Sequence, residues 1–211
     1  MPVDPTNPRP HWLVSIPGGL MALVTTQAEA DDRIPKLLAM DPGPDGRRVV
    51  KVYPKELIHL TETDALGCEY YVFPWELKHG DDDGARWAPG VDAVIVQGPR
   101  DNDALTFGRP NAWPVHPAWV RRLRDDAIEA EVPFAFSSWG EWAPYGLDTP
   151  SGPPEEVDDM RWVGLDGSAS ADNVRPTPAH MLMVPLGHRR SGRLLDGREH
   201  IIDWATTELS A

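Results

Sequence analysis

Between Val91 and Trp142 the chain reads VDAVIVQGPRDNDALTFGRPNAWPVHPAWVRRLRDDAIEAEVPFAFSSWGEW. A short β-branched apolar run, a Gly/Pro-rich loop, an amphipathic helix and a second apolar run follow one another. Two strands joined through a helix must run parallel, because a tight hairpin cannot make that connection. This one βαβ unit commits the chain to an α/β fold with a helix packed on a parallel sheet. The helix is predicted over 117–131, with Pro117 at its first position, where the fixed φ of proline fits. Val120, Leu123 and Ala127 fall on one face, flanked by Ile128, while Arg121, Arg122, Asp125 and Asp126 fall on the other. The strands on either side are predicted over 91–96 and 132–137.

The rest of the chain adds elements of the same kind. His11–Ile16 and Leu20–Thr25 read as strands separated by a Pro17-Gly18-Gly19 turn. Thr26 and Glu29 form a T-x-x-E capping box that opens a helix. Pro35 removes an amide hydrogen from that helix, so a helix to Arg33, a kink and one further turn are expected. Asp41–Gly46 is a turn, and Val49–Tyr53 (VVKVY) a β-branched strand. Tyr70–Phe73 is a candidate short strand, and HGDDDG at 79–84 a solvated loop. Beyond Trp142 the stretches 143–158 and 166–180 read as loops, with Met160–Leu165 and Met181–Leu186 pairing antiparallel between them. Leu195-Asp196-Gly197-Arg198 carries an Asp-Gly hairpin signal, and 201–211 a short helix. The expected organisation is a Pro-rich arm with the first strand (1–19), a βα body (20–142) and a loop-rich β appendage (143–211).

Composition narrows the function. The chain has 211 residues, 41% of them apolar, so a sizeable core is available. A net charge of −13 repels a polyanion, which disfavours nucleic acid as a partner. No apolar run is long enough to span a membrane, and the N-terminus lacks the pattern of a secretory signal. A cytoplasmic protein is expected, in the host cytoplasm if a phage encodes it. Cys68 is the one cysteine, so neither an internal disulfide nor a thiolate cluster can be built from it.

Four stretches carry a family resemblance. TTQAEADDRIPKLLAM (25–40) is similar to V-E-N-Q-x-x-A-D-x-R-I-P-x-L-L, and VDAVIVQG (91–98) to I-D-W-V-I-V-G-G-E-S-G. HPAWVRRLRDDAIEAEVPFAFSSWGEW (116–142) is similar to H-P-x-W-V-R-x-L-R-D-x-C-x-x-A-G-V-P-F-F-F-K-Q-W-G-E-W, and GRLLDGREH (192–200) to G-R-x-L-D-G-R-x-W. In this order they resemble the phage-associated Gp-thirty-seven/Gp-sixty-eight family, a radical-SAM-like group of unknown function. The resemblance implies part of a (β/α) barrel of about four parallel strands, followed by a β-hairpin-rich appendage. Scaffold positions are kept at Arg33, Pro35, Trp119, Leu123 and Gly140. The family's Glu is missing from Gln97-Gly98-Pro99-Arg100-Asp101, and its Lys from Phe134–Gly140. A radical-SAM cluster needs three thiolates. Cys68 matches none of those positions, and the cluster region would precede the part of the pattern seen here. The implied protein keeps the fold, carries no cofactor or metal and has no catalytic residue.

The expected activity is therefore binding of a protein partner, from host or phage, or of a second copy of the chain. The alternative is the substrate-binding subunit of a split radical-SAM-type enzyme completed by another chain. Candidate binding residues are Arg100 and Asp101 beyond one strand, Trp139, Glu141 and Trp142 beyond the next, and Arg193 and Arg198 near the C-terminus. Each has a plainer reading. The tryptophans could cover the sheet end. Arg189, Arg190, Arg193 and Arg198 could grip a phosphate or pair with Asp196 and Glu199. His116 reads as a helix-entry cap before a general base. Ser137-Ser138 lacks the G-x-S-x-G turn of a nucleophile, HGDDDG lacks calcium-loop spacing, and the seven histidines show no zinc spacing.

Overall fold

The computed structural model describes residues 10–43, 46–60, 90–100, 112–130, 132–146, 160–170 and 177–204. Cys68, the 70–73 strand, the 79–84 loop, Asp101, residues 1–9 and the chain after 204 lie outside them. The first sheet has five strands in chain order: β1 (Leu13–Ile16), β2 (Gly19–Val24), β3 (Arg47–Val52), β4 (Ala93–Gln97) and β5 (Phe134–Ser138). β1 pairs antiparallel with β2, and β2 to β5 are all parallel. Helix α1 (Gln27–Leu38) links β2 to β3, and α2 (Pro117–Glu129) precedes β5.

The register assigns residues to faces, because in-register neighbours of parallel strands share a face and alternate residues change sides. Ala22, Val50, Val94 and Phe134 form one row, and Val24, Val52, Val96 and Phe136 the next. Both rows pack in one core with Ile34 and Leu37 of α1 and Trp119, Leu123 and Ala127 of α2. Both helices thus lie on one face of the sheet. The loop after β3 helps to fill the space beneath them. The Gln27 amide receives the His59 N–H (2.8 Å) and donates to the His59 carbonyl (3.2 Å), while Asp126 receives the Leu60 N–H (2.9 Å). Tied to both helices in this way, the loop presses Ile58 and Leu60 into the core.

The second sheet is antiparallel, in the order β6 (Trp142–Pro144), β9 (His180–Pro185), β7 (Arg161–Gly164), β8 (Ala169–Ser170). A hairpin, β10 (Leu194–Leu195) and β11 (Arg198–Glu199), turns through Asp196 (φ 54°) and Gly197 (φ 75°). Positive φ at both central residues is what a two-residue Asp-Gly turn requires. Met183, Val163 and Leu195 join the core of the first sheet. The outer edge of β5 is met by this C-terminal segment, with Phe136 N–H donating to His200 and Trp139 N–H to Gly192.

Several expectations are corrected. α1 runs unbroken through Pro35. The proline sits in the last turn and forfeits one hydrogen bond, and the burial of Ile34, Leu37 and Leu38 outweighs that loss. Ile128 is 62% exposed rather than flanking the core, because it lies on the solvent side of a turn whose inner side is taken by Ala127 and Ala130. Asp126, assigned to the outer face, is 1% exposed, since its carboxylate holds the Leu60 N–H and pairs with Arg122 at 2.7 Å. Residues 143–144 and 169–170 are strand rather than loop, and the split placed after residue 142 falls inside β6. Residues 201–203 are not helical. No helix among the described residues is long and apolar enough to cross a membrane.

Candidate functional site

The kept motif residues turn out to hold the C-terminal end of the parallel sheet in place. Thr26 caps α1, its hydroxyl receiving the Glu29 N–H at 3.3 Å. The Glu29 carboxylate reaches one residue further back than a standard capping box and takes both the amide and the hydroxyl of Thr25 at 2.7 Å. Arg33 then bridges Glu29 and the Leu23 carbonyl, each at 2.7 Å, fixing the helix to the end of β2. At the other end, Gly98 and Gly140 bring two loops into backbone contact. A Cβ on Gly98 would stand 1.8 Å from the Trp139 carbonyl oxygen, and one on Gly140 would stand 2.3 Å from that of Pro99. Gly140 also has φ +79°, a conformation open to glycine.

The candidate binding residues divide sharply. Trp139 is 3% exposed, lies edge-on to Phe136 at 4.7 Å and donates its indole N–H to the Leu194 carbonyl at 3.0 Å. Trp142 is 6% exposed, donates to the Ala112 carbonyl at 2.7 Å and carries the Arg161 guanidinium over its ring at 4.9 Å. Both indoles thus close the sheet end from within and present little surface. Glu141 knits three segments together. Its N–H donates to Pro99, its carbonyl receives Gly187, and its carboxylate faces the His188 ring and N–H at 3.3 Å each. Arg100 is half-buried just past β4. Arg193 is exposed and paired with Glu199 at 2.8 Å, and Arg198 is exposed on β11. Asp196 serves Arg121 (2.7 Å) and Arg124 (2.6 Å) of α2, not the neighbouring arginines.

His116 is the cap of α2. Its Nδ1 receives the Ala118 N–H at 3.0 Å. Burial, with Arg121 and His180 nearby, pushes the imidazole down to about 4, so the ring is neutral at physiological pH. Burial likewise holds the Asp126 carboxyl above the usual carboxylate range, against the pull of the Leu60 N–H and Arg122.

A constellation that the sequence reading passed over lies on the sheet face turned away from the helices. There Leu23, Lys51, Ile95 and Ala135 form one row. Alternation places Tyr53 and Gln97 in the next row towards the C-terminal end, and a bulge after Val96 sets Ser138 opposite Gln97. The Lys51 ammonium lies 5.1 Å from the centre of the Tyr53 ring, so the side chain leans into this polar row. Gln97 is 5% and Ser138 6% exposed. The Ser138 hydroxyl is buried without a hydrogen-bond partner, which is rare enough to need a reason. The available signal was Lys51 itself: a lysine inside VVKVY is out of place in the central strand of a parallel sheet, where apolar residues are the rule. Among the described residues no group of three or more His, Cys, Asp or Glu is placed to hold a metal. One cysteine in the whole chain does not fit the donor set of an iron–sulfur cluster.

Sequential parallel strands, helices on one face and a polar row at the strand C-termini define an α/β protein with its candidate site where such sheets place ligands. Residues 19–202 match the family described as protein of unknown function (DUF5131), and the chain belongs to that family. No curated protein and no solved structure matches it.

Proposed function

We propose that the chain is a non-catalytic binding protein whose contact surface is the C-terminal edge of the parallel sheet. The observation that carries this reading is the buried Ser138 hydroxyl, which stands beside Gln97 without a hydrogen-bond partner. A serine nucleophile needs a base within hydrogen-bond reach, and among the described residues the Ser138 hydroxyl bonds to none. The groups at this edge are suited to holding a polar partner rather than transforming it. The sequential strand order, with both helices on one face, is the order of consecutive units in a (β/α) barrel and supports reading the sheet as a segment of one. With the resemblance to phage-associated radical-SAM-like proteins, this suggests a fold that has outlived its cofactor and a partner that is a protein of host or phage. Arg100 and Arg198 supply basic contacts at the rim, and Trp139, Glu141 and Trp142 shape the edge from beneath.

The test is affinity capture by the tagged full-length protein and by its Arg100→Glu variant, after both have shown the same thermal midpoint. A partner retained by the wild type and lost by the variant supports the reading. Equal retention by both counts against the strand-end surface. Retention of an iron–sulfur protein that cleaves S-adenosylmethionine only in the complex would replace it with the split-enzyme alternative.

A further inference from the structure

The segment laid along the outer edge of β5 carries exposed cations in a chain of net charge −13. Arg189, Arg190, Arg193 and Arg198 are all exposed. The segment meets β5 where Trp139 N–H donates to Gly192 (3.2 Å) and Phe136 N–H to His200 (3.0 Å). Those two points lie about 10 Å apart along the strand, and each arginine is within three residues of one of them. The carboxylates beside them are already engaged: Glu141 with His188, Asp196 with Arg121 and Arg124, and Glu199 with Arg193. Arg190 gives one N–H to the Leu186 carbonyl at 3.0 Å. Among the described residues no carboxylate pairs with Arg189, Arg190 or Arg198. The backbone beneath Arg189 and Arg190 is ordered. The Arg190 and Ser191 N–H groups close a turn onto the Gly187 carbonyl at 3.0 and 3.1 Å. Glu141 pins that turn from the strand ends, its carbonyl receiving the Gly187 N–H (2.9 Å) and its carboxylate the His188 N–H (3.3 Å). A turn fixed in advance loses little freedom when its side chains engage a partner.

We propose that Arg189, Arg190 and Arg198 form the surface that receives an acidic segment of a protein partner, a run of Asp and Glu side chains. This rests on the reading of the strand C-termini as the binding edge and names the chemistry of what docks beside it. The planar guanidinium fork takes a carboxylate through two parallel hydrogen bonds. A chain of net charge −13 repels a long polyanion such as nucleic acid, whereas a short acidic run needs only the few arginines gathered here.

The experiment is fluorescence anisotropy of a labelled oligoglutamate peptide titrated with the full-length protein at low salt, beside oligoglutamine and single-stranded DNA of matched charge. Oligoglutamate is expected to bind, more weakly as salt rises, and oligoglutamine not to bind. Arg189→Gln and Arg198→Gln are each expected to weaken the peptide about threefold, and the double variant about tenfold. Neither side chain has a described carboxylate partner, so the thermal midpoints should match that of the wild type; if the double variant fails to fold, the single variants carry the test. Lys36→Glu on α1 changes the net charge as much as the double variant does and is expected to shift affinity less than about twofold. No binding of oligoglutamate by the wild type, tighter binding of the DNA, or equal losses in the double variant and in Lys36→Glu would overturn the surface. Such a result alongside partner capture that depends on Arg100 would leave the binding edge standing and remove only the acidic partner.

Discussion

The two faces of the parallel sheet are built to different rules. Towards the helices, Val24, Val50, Val52, Val94 and Val96 are at most 1% exposed, and no polar side chain interrupts the rows. On the opposite face Leu23, Val49 and Ala93 are buried, whereas Met21, Lys51, Ile95 and Ala135 are only half-buried. A sheet covered on both sides reads as apolar throughout. Here only one face does, and the other turns polar as its strands reach their C-termini. One face is thus spent on apolar packing, and the other mixes buried apolar residues with polar ones.

The sharpest way to break this comparison is to make the same substitution against each face. Ile34→Ala removes a 1%-exposed side chain of α1 that packs on β2 and β3. It is expected to cost about 3 kcal/mol, from lost transfer free energy and the cavity left behind. Ile95→Ala, on the half-buried face, is expected to cost about half as much. Backbone preference works against the difference. Alanine recovers about 0.4 kcal/mol in a helix and loses a comparable amount in a strand, so a larger loss at Ile34 would be due to burial. Urea midpoints at constant m-value give the comparison. Equal losses would mean that the second face is packed as tightly as the first.

Much of this was legible locally. The 91–96 and 132–137 strands, the Pro117 helix start, the T-x-x-E cap and the Asp-Gly hairpin are each set by a few adjacent residues, and the structure has them within two positions. The errors share a cause: each depends on a partner distant in sequence. Pro35 stays helical because α1 is clamped on the sheet. Asp126 is buried because Leu60, 66 residues away in sequence, needs an acceptor. Lys51 and Gln97 become neighbours in the polar row through the pairing of β3 with β4. Trp139 and Trp142 were legible as important, but whether they project or cover was decided by the carbonyls of Leu194 and Ala112.

The packing face also carries a pH dependence, anchored at the start of α2. His116 has a folded pKa of about 4 against 6.5 for the free side chain. Between these values the unfolded chain holds a proton that the folded chain does not. The contribution is therefore complete above pH 6.5 and is lost as pH falls towards 4, by up to about 3 kcal/mol. Asp126 contributes in the opposite sense. Its raised folded pKa gives a contribution present below the unfolded value and lost as pH rises through the folded one, so it cannot be the source of acid destabilisation. His116→Asn keeps a capping side chain and removes the imidazole. Its stability between pH 4 and 6.5, from urea titrations, is expected to fall less steeply than that of the wild type. Parallel slopes would move the acid sensitivity elsewhere.

The smallest effect should belong to neither face. Arg193 pairs with Glu199 across the hairpin beside the β5 edge, and its side chain is 65% exposed. Solvent screens such a pair, and ordering two long side chains offsets most of what remains. Arg193→Ala is expected to change stability by less than about 0.5 kcal/mol, with the midpoint insensitive to salt. The hairpin is held instead by buried Leu195, by Asp196 bonded to two arginines of α2, and by the Trp139 indole on Leu194. A loss well above that bound would make the Arg193–Glu199 pair part of what seals the β5 edge. The hairpin would then be an extension of the packing face rather than a cover laid beside it, and the boundary between the two faces would move outward by one strand.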